Sequence, residues 1–330
     1  MLPFSLIYSD GFYLDMGPHV FPGEKYSLVH ARLLETQAAS PQDFIEPDPI
    51  AREDLLRVHD AGYIDRLLNG TLDPFEIRRM ELAYSKRLVD ATLLGCGGTL
   101  LAAQLALRDG VACSIGGGFH HAYPDHGEGF CILHDVAIAL RRLMADRAIR
   151  SALVIDLDVH QGNGTAAIFP PQNAATRREH LAAGLLTGSA GPSAEGVFSI
   201  SLHQFNNYPQ FKPPSSIDVH LDDGTRDAEY LSALDRALAI AIERSRPDLV
   251  VYIAGADPYI HDQLGGLALT IKGLRERDTH VFRFAQTNQL PIVSVYAGGY
   301  ARDVNDTVTI HTNTILAAAD VFHFHGATSC

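Results

Sequence analysis

The chain has 330 residues, 46% of them hydrophobic and 20% charged, with a formal net charge of −13. That composition suits a globular protein with a sizeable core, and its acidic balance argues against general binding to nucleic-acid phosphates. The longest apolar stretch, 93–107, is broken by three glycines and Gln104. It falls short of the ~18 uninterrupted apolar residues of a membrane span, so no membrane association is expected.

In chain order, the opening Met1-Leu-Pro-Phe-Ser5 shows neither the basic nor the apolar region of a secretory leader, and a cytoplasmic location is expected. An apolar run at 4–8 predicts a first strand. Helical periodicity at 99–107 precedes a strand at 111–115 that runs into Gly116-Gly-Gly-Phe-His120-His121. A helix at 135–145 leads to a strand at 152–157, which enters Asp156-Leu-Asp158-Val-His160-Gln-Gly-Asn163-Gly. Residues 176–196, rich in Gly, Ala and Ser, read as a surface excursion with a short helix near 177–183. A strand at 197–202 carries Ser201-Leu-His203. A helix at 227–244 then leads to a strand at 249–254 and Gly255-Ala-Asp257. A helix at 271–286 leads to a strand at 292–296 and Gly298-Gly-Tyr300. This alternation predicts an α/β fold with a mainly parallel sheet, helices on both faces, and a single domain over 1–330. Ligands in such sheets bind beyond the carboxyl ends of the strands, where all five polar clusters are expected. Cys96, Cys113, Cys131 and Cys330 lack CxxC spacing, so neither a disulfide framework nor a thiolate metal site is indicated.

Side chains of an extended chain alternate sides, so Asp156, Asp158 and His160 are expected to lean the same way. With Asp257 from a second strand end, Asp158 and His160 make a set suited to a divalent metal with an open position. A lone Asp-x-His is also what a hydrogen-bonded loop contains; the third ligand, at a second strand end, favours the metal. His120 and His121 follow three glycines that let backbone approach a ligand closely. Adjacent imidazoles near a cation suit proton handling. Asp156 is available to orient one of them and Asn163 the other. Tyr300, on a Gly-Gly turn, can hydrogen-bond a developing oxyanion. His126, His134, His203, His261, His323 and His325 receive no role from their spacing.

With these pieces in order, the chain resembles the histone deacetylase superfamily of zinc-dependent acyl-lysine and acylpolyamine hydrolases. The likeness runs from Pro22-Gly-Glu-Lys25-Tyr to about Asn313, and the clusters above, with Gly129-Phe130-Cys131, occur in the family order. Asp158-Val-His160-Gln-Gly-Asn163-Gly, Asp262-Gln-Leu-Gly-Gly-Leu and Ala-Gly-Gly-Tyr300 are most similar to the class IV branch and its bacterial relatives. The resemblance implies the arginase-like three-layer α/β/α fold, with Asp158, His160 and Asp257 as zinc ligands. It implies His120 and His121 as the catalytic pair, Asp156 and Asn163 behind them, and Tyr300 as the carbonyl-polarising tyrosine. Phe130 and Tyr208 then form the walls of a substrate tunnel with Gly129 beside them and Leu264 at the rim; such a slot suits an aliphatic lysine stem. Lys25 stands where many members carry an arginine beside the acetate exit. An inner site drawing on Asp156, Asp158 and His160 backbone oxygens, Ser201 and Leu202 makes potassium the expected structural ion. Asn163 replaces the aspartate of class I members, so its histidine partner is expected to be less basic than theirs.

The expected reaction is metal-assisted hydrolysis of an acyl amide, with zinc or, on the same donors, iron(II). The expected substrate is an acyl-lysine peptide or protein, or another acylated amine. Acetylpolyamine hydrolysis, a binuclear ureohydrolase on the related fold and a non-catalytic acyl-lysine binding protein are the alternatives. The sequence gives neither acyl length nor oligomeric state.

Overall fold

The computed structural model describes residues 2–17, 19–171, 186–187 and 196–323. Among them nine strands form one sheet: β1 (Ser5–Ile7), β2 (Phe44–Ile45), β3 (Val111–Ser114), β4 (Ser151–Asp156), β5 (Leu186–Thr187), β6 (Gly196–Gln204), β7 (Ile217–Leu221), β8 (Leu249–Ala254) and β9 (Ile292–Tyr296). Their order is β2-β1-β3-β9-β8-β4-β6-β7-β5, and every pairing is parallel except that of β5 with β7 at the edge. β3, β4, β8 and β9 are buried at every residue. Strands covered on both faces read as almost continuous apolar runs, which is why these four are visible in the sequence.

Helices Lys25–Glu35, Val304–Phe322, Ile271–Thr287 and Asp227–Ser245 pack in succession over one face. Lys86–Asp109 and Asp135–Ala145 pack together over the other, completing a three-layer α/β/α arrangement. The periodicity at 99–107 is only the second half of Lys86–Asp109, which begins where the Ser85 hydroxyl accepts the Leu88 N–H at 3.1 Å. That helix is long and apolar enough to cross a membrane, yet 67% of its most apolar window is buried within the chain, as in a core helix. The excursion expected at 176–196, with its helix near 177–183, lies outside the described residues apart from β5 and Gly196.

The strand order places the ends of β3, β9, β8 and β4 side by side, and loops from distant parts of the chain converge there. Of the five polar clusters, four follow strand ends as expected. Ser201 and His203 do not: β6 continues to Gln204, so both lie within the strand, Ser201 opposite Asp156.

Candidate metal centre and active site

β4 ends at Asp156, so strand alternation does not aim Asp158 and His160. Two successive side-chain turns do so instead. Asp156 Oδ1 accepts the Asp158 N–H at 3.2 Å, and Asp158 Oδ1 accepts the His160 N–H at 2.9 Å. In the loop after β8, Asp257 Oδ1 accepts the Val159 N–H at 2.9 Å, tying the two turns together. The Gly298 N–H, following β9, reaches Asp158 Oδ2 at 2.8 Å. No other residue fits at 298, since a Cβ there would stand 1.9 Å from Asp257 Oδ2.

Asp158, His160 and Asp257 are buried and offer ligand atoms that all lie within 4.8 Å of one another. His160 Nδ1 is 3.0 Å from Asp158 Oδ1 and 3.3 Å from Asp257 Oδ2. Asp257 Oδ2 has no hydrogen-bond partner among the described residues. A buried carboxylate oxygen left unpaired beside a second carboxylate is costly, and a shared cation relieves that cost. Burial and the Asp158 charge push the Asp257 carboxyl up. Burial alone would lower His160, but Asp158 and Asp257 outweigh it and hold the ring up at about 10. Two carboxylates, one imidazole and an opening on one side fit a three-ligand divalent site.

The glycine loop after β3 is held by Asp135, which the sequence reading missed. Its buried carboxylate accepts the Gly118 and Phe119 N–H groups at 2.8 Å each and the Thr99 hydroxyl at 2.6 Å. The loop delivers His120 and His121 with ring centroids 4.0 Å apart. His120 Nδ1 meets Asp156 Oδ2 at 2.8 Å, and His121 Nδ1 meets Asn163 Oδ1 at 2.6 Å. Both anticipated partners are therefore in place. The rings differ electrostatically. Burial opposes charge on His120, but Asp156 and Asp158 prevail and raise it to about 9. Burial, then the neighbouring His120 and His160, drive His121 well below its ordinary value.

A cavity of about 170 Å³ opens above this centre, lined by Glu81, His121, Gly129, Phe130, His160, Asn207, Tyr208, Leu264 and Tyr300. All four anticipated tunnel residues are among them. Gly129 and Phe130 are the central residues of a tight turn closed by Glu128 and Cys131, with φ of +51° and +64°. Positive φ at both positions is the type I′ pattern, which suits glycine but costs a phenylalanine on the order of 1 kcal/mol or more. The turn persists because the Phe130 N–H is held by Met80 O at 3.0 Å. Across the cavity, the Tyr208 ring lies edge-on to His121 at 5.0 Å. Asp262 Oδ1 accepts the Leu264 N–H at 2.8 Å and its Oδ2 the Tyr300 N–H at 2.7 Å, joining rim to floor.

Tyr300 is buried against Phe21 and Phe130. Burial and the Asp158 and Asp257 charges push its phenol up, so the hydroxyl keeps its proton. Lys25 is fully buried; its Nζ donates to Ala297 O at 2.6 Å and lies 4.4 Å from the Phe21 ring centre. Burial lowers it to about 8 against the pull of Asp257, Asp158 and Asp262.

Among the histidines left without a role, His134 caps helix Asp135–Ala145 by accepting the Ala137 N–H at 3.2 Å. His203 bonds Ser201 at 2.9 Å, and His126 flanks Glu128 at 3.4 Å. Glu128 also went unnoticed. It accepts from Asn163 Nδ2 and from the Tyr208 hydroxyl, each at 2.7 Å. Its one sequence signal was its place in His126-Gly-Glu128-Gly129, between a histidine and the turn.

A histone deacetylase domain model matches residues 19–315. An uncharacterised protein from Picosynechococcus is 39% identical over 304 residues, covering 92% of this chain and 94% of that protein. Histone deacetylase 2 of Arabidopsis thaliana is 32% identical over 324 residues, covering 92% of this chain and 77% of its own length. A crystal structure of an HDAC homologue from Aquifex aeolicus aligns with a TM-score of 0.75 at 21% identity, over 95% of this chain and 82% of that one, a likeness of fold. With a family model spanning most of its length and a relative above 30% identity, this chain belongs to the histone deacetylase family of hydrolases.

Proposed function

We propose that the chain hydrolyses acyl-lysine, releasing a free amine and a carboxylate. The supporting observation is that His121, His160 and Tyr300 line one narrow opening walled by Phe130 and Tyr208, with His120 and Asp158 lining the inner pocket behind it and Asp257 beside His160 and Asp158. Asp158, His160 and Asp257 would hold zinc, iron(II) suiting the same donors; when bound, the ion supplies a Lewis acid for the acyl carbonyl and makes water more acidic.

The remaining work falls to the chain. Phe130 and Tyr208 enclose the aliphatic stem, with Gly129 beside them and Leu264 at the rim. His121 lines the tunnel, whereas His120 lines only the smaller inner pocket behind it. His121 therefore takes the proton of the attacking water and returns it to the departing amine. His120, bonded to Asp156, places positive charge beside it. The Tyr300 phenol donates to the developing oxyanion, a contribution of about 3–4 kcal/mol for one well-placed donor. Lys25 is the cation a carboxylate product would meet on the inner side. The proposal takes 1–330 as one catalytic domain in the cytoplasm, with potassium near Asp156 and Ser201 as a structural ion. One continuous sheet and one core cluster support the domain assignment.

The test is a hydrolysis panel with protein loaded with zinc or iron(II): acetyl-lysine peptides, longer acyl-lysine peptides and an acetylpolyamine, with amine release followed by mass spectrometry. Turnover of acyl-lysine supports the reading, and turnover of the acetylpolyamine alone selects that alternative. Metal-loaded protein inert toward every member overturns it in favour of a binding protein.

A further inference from the structure

Glu128 stands where the tunnel wall, the second histidine's partner and the surface meet. Its Oε1 accepts the Asn163 Nδ2–H and the Tyr208 O–H at 2.7 Å each, and its Oε2 faces Arg79 Nη2 at 3.0 Å and His126 Nε2 at 3.4 Å. An ionised carboxylate can only accept, so Asn163 must turn its amide NH₂ toward Glu128 and its Oδ1 toward His121. The Gly164 N–H, 3.1 Å from the same Oδ1, favours the same orientation through a weaker neutral bond. Because Oδ1 is an acceptor, His121 Nδ1 must carry the hydrogen, and Nε2 keeps its lone pair. An asparagine turned the other way would select the opposite tautomer and leave His121 without a base at Nε2. An aspartate has no such ambiguity; an asparagine needs something to fix it.

We propose that Glu128 is a positioning residue that, through Asn163, locks His121 in the Nδ1–H tautomer and, through the Tyr208 hydroxyl, ties that lock to the tunnel wall. Glu128 remains an acceptor across the working pH range. Burial opposes its charge, but hydrogen bonds from His126, Tyr208 and Asn163, with Arg79 nearby, hold it at about 2. The catalytic consequence rests on His121 being the proton acceptor, as proposed above, whereas the tautomer can be read without any reaction.

The experiment compares the zinc-loaded wild type with Glu128→Gln, Asn163→Asp and the double variant, all labelled with ¹⁵N-histidine. Long-range ¹H–¹⁵N spectra report the His121 tautomer, and kcat is measured on an acetyl-lysine peptide. The wild type should show Nδ1–H. Glu128→Gln should show mixed tautomers and a kcat lower by about 10- to 100-fold at full zinc content. Asn163→Asp alone should lose activity, because it sets two carboxylates against each other. Joined to Glu128→Gln it should recover a single Nδ1–H tautomer and a kcat above either single variant. A wild-type Nε2–H tautomer, an unchanged tautomer or undiminished kcat in Glu128→Gln, or a double variant no better than its parents overturns the proposal. If Glu128→Gln does not fold, Asn163→Asp decides: wild-type kcat in that variant also overturns it. Should the wild type be inert on acyl-lysine, the spectra still give the tautomer, so failure of the reaction and failure of the lock are distinguishable.

Discussion

Replacing Tyr300 by phenylalanine removes one oxygen and little else. Among the described residues, every hydrogen bond of Tyr300 runs through its backbone: N–H to Asp262 at 2.7 Å, and its carbonyl to Gln263 N–H at 3.2 Å and Nε2 at 2.9 Å. Its ring contacts, with centroids 5.9 Å from Phe21 and 6.0 Å from Phe130, are those a phenylalanine retains. The fold should therefore lose less than about 1 kcal/mol. Turnover loses the oxyanion donor, about 3–4 kcal/mol, and at about 1.4 kcal/mol per tenfold that is roughly 100- to 1000-fold in kcat. KM should move little, since the bond strengthens only as charge develops on the carbonyl oxygen. The assay is steady-state deacylation, with zinc content and Tm measured on the same preparation. A kcat within about tenfold of wild type would refute the assigned role, as would a loss of activity fully explained by lost metal.

Three further outcomes follow from the described geometry. Burial lowers His59 to about 4; Nδ1 bonds Tyr123 O at 2.9 Å and Nε2 accepts the His134 N–H at 3.0 Å, so a second proton has no acceptor. The unfolded chain takes up that proton near pH 6.5, so this contribution is complete above pH 6.5 and declines as pH falls toward 4, by up to about 3 kcal/mol. His59→Gln should flatten that limb of a urea-midpoint profile, and parallel declines in both proteins would contradict the assignment. Chelation should lower Tm, and zinc at about 1000 times Kd should return about 4 kcal/mol, a gain Asp257→Asn abolishes; a Tm indifferent to both additions counts against the centre. Arg277 is fully buried and donates to Gly255 O at 2.6 Å, Leu157 O at 3.3 Å and Asp278 at 2.8 Å, so Arg277→Met should cost about 3–5 kcal/mol by urea unfolding. A cost below about 1 kcal/mol would mean that Asp278 is satisfied without it.

Much of the sheet was legible because β4, β8 and β9 are covered on both faces and had to be apolar. Helix Val304–Phe322 was not, although Asp303 caps it by accepting the Asn305 N–H at 2.9 Å. It is buried around most of its circumference and carries Thr307, Thr309, Thr312 and Thr314, so no polar stripe marks a helical period. The short helix Pro74–Met80 also went unread, although a reciprocal Asp73–Glu76 cap with proline at its first position marks its start. β7 alternates, but Asp218 and His220 in five residues disguise it. At the site, the meeting of Asp158, His160 and Asp257 was anticipated for a partly mistaken reason, since turns rather than pleating aim the first two. Glu128, Asp135 and Arg277 were invisible because each acts on backbone or side chains remote in sequence; Arg277 reaches Leu157 across 120 residues. No local pattern records such a bond.

The adjacency of β4 and β8 has a consequence for how the molecule matures. Neither half of the chain holds the whole ligand set, because Asp158 follows β4 and Asp257 follows β8, strands that meet only through long-range pairing. Capture of an ion by these three residues would therefore come late in folding, once the middle of the sheet has zipped shut. A zinc-sensitive dye followed during refolding would act as a clock for that closure, silent through early collapse and responding when the last central strands have docked.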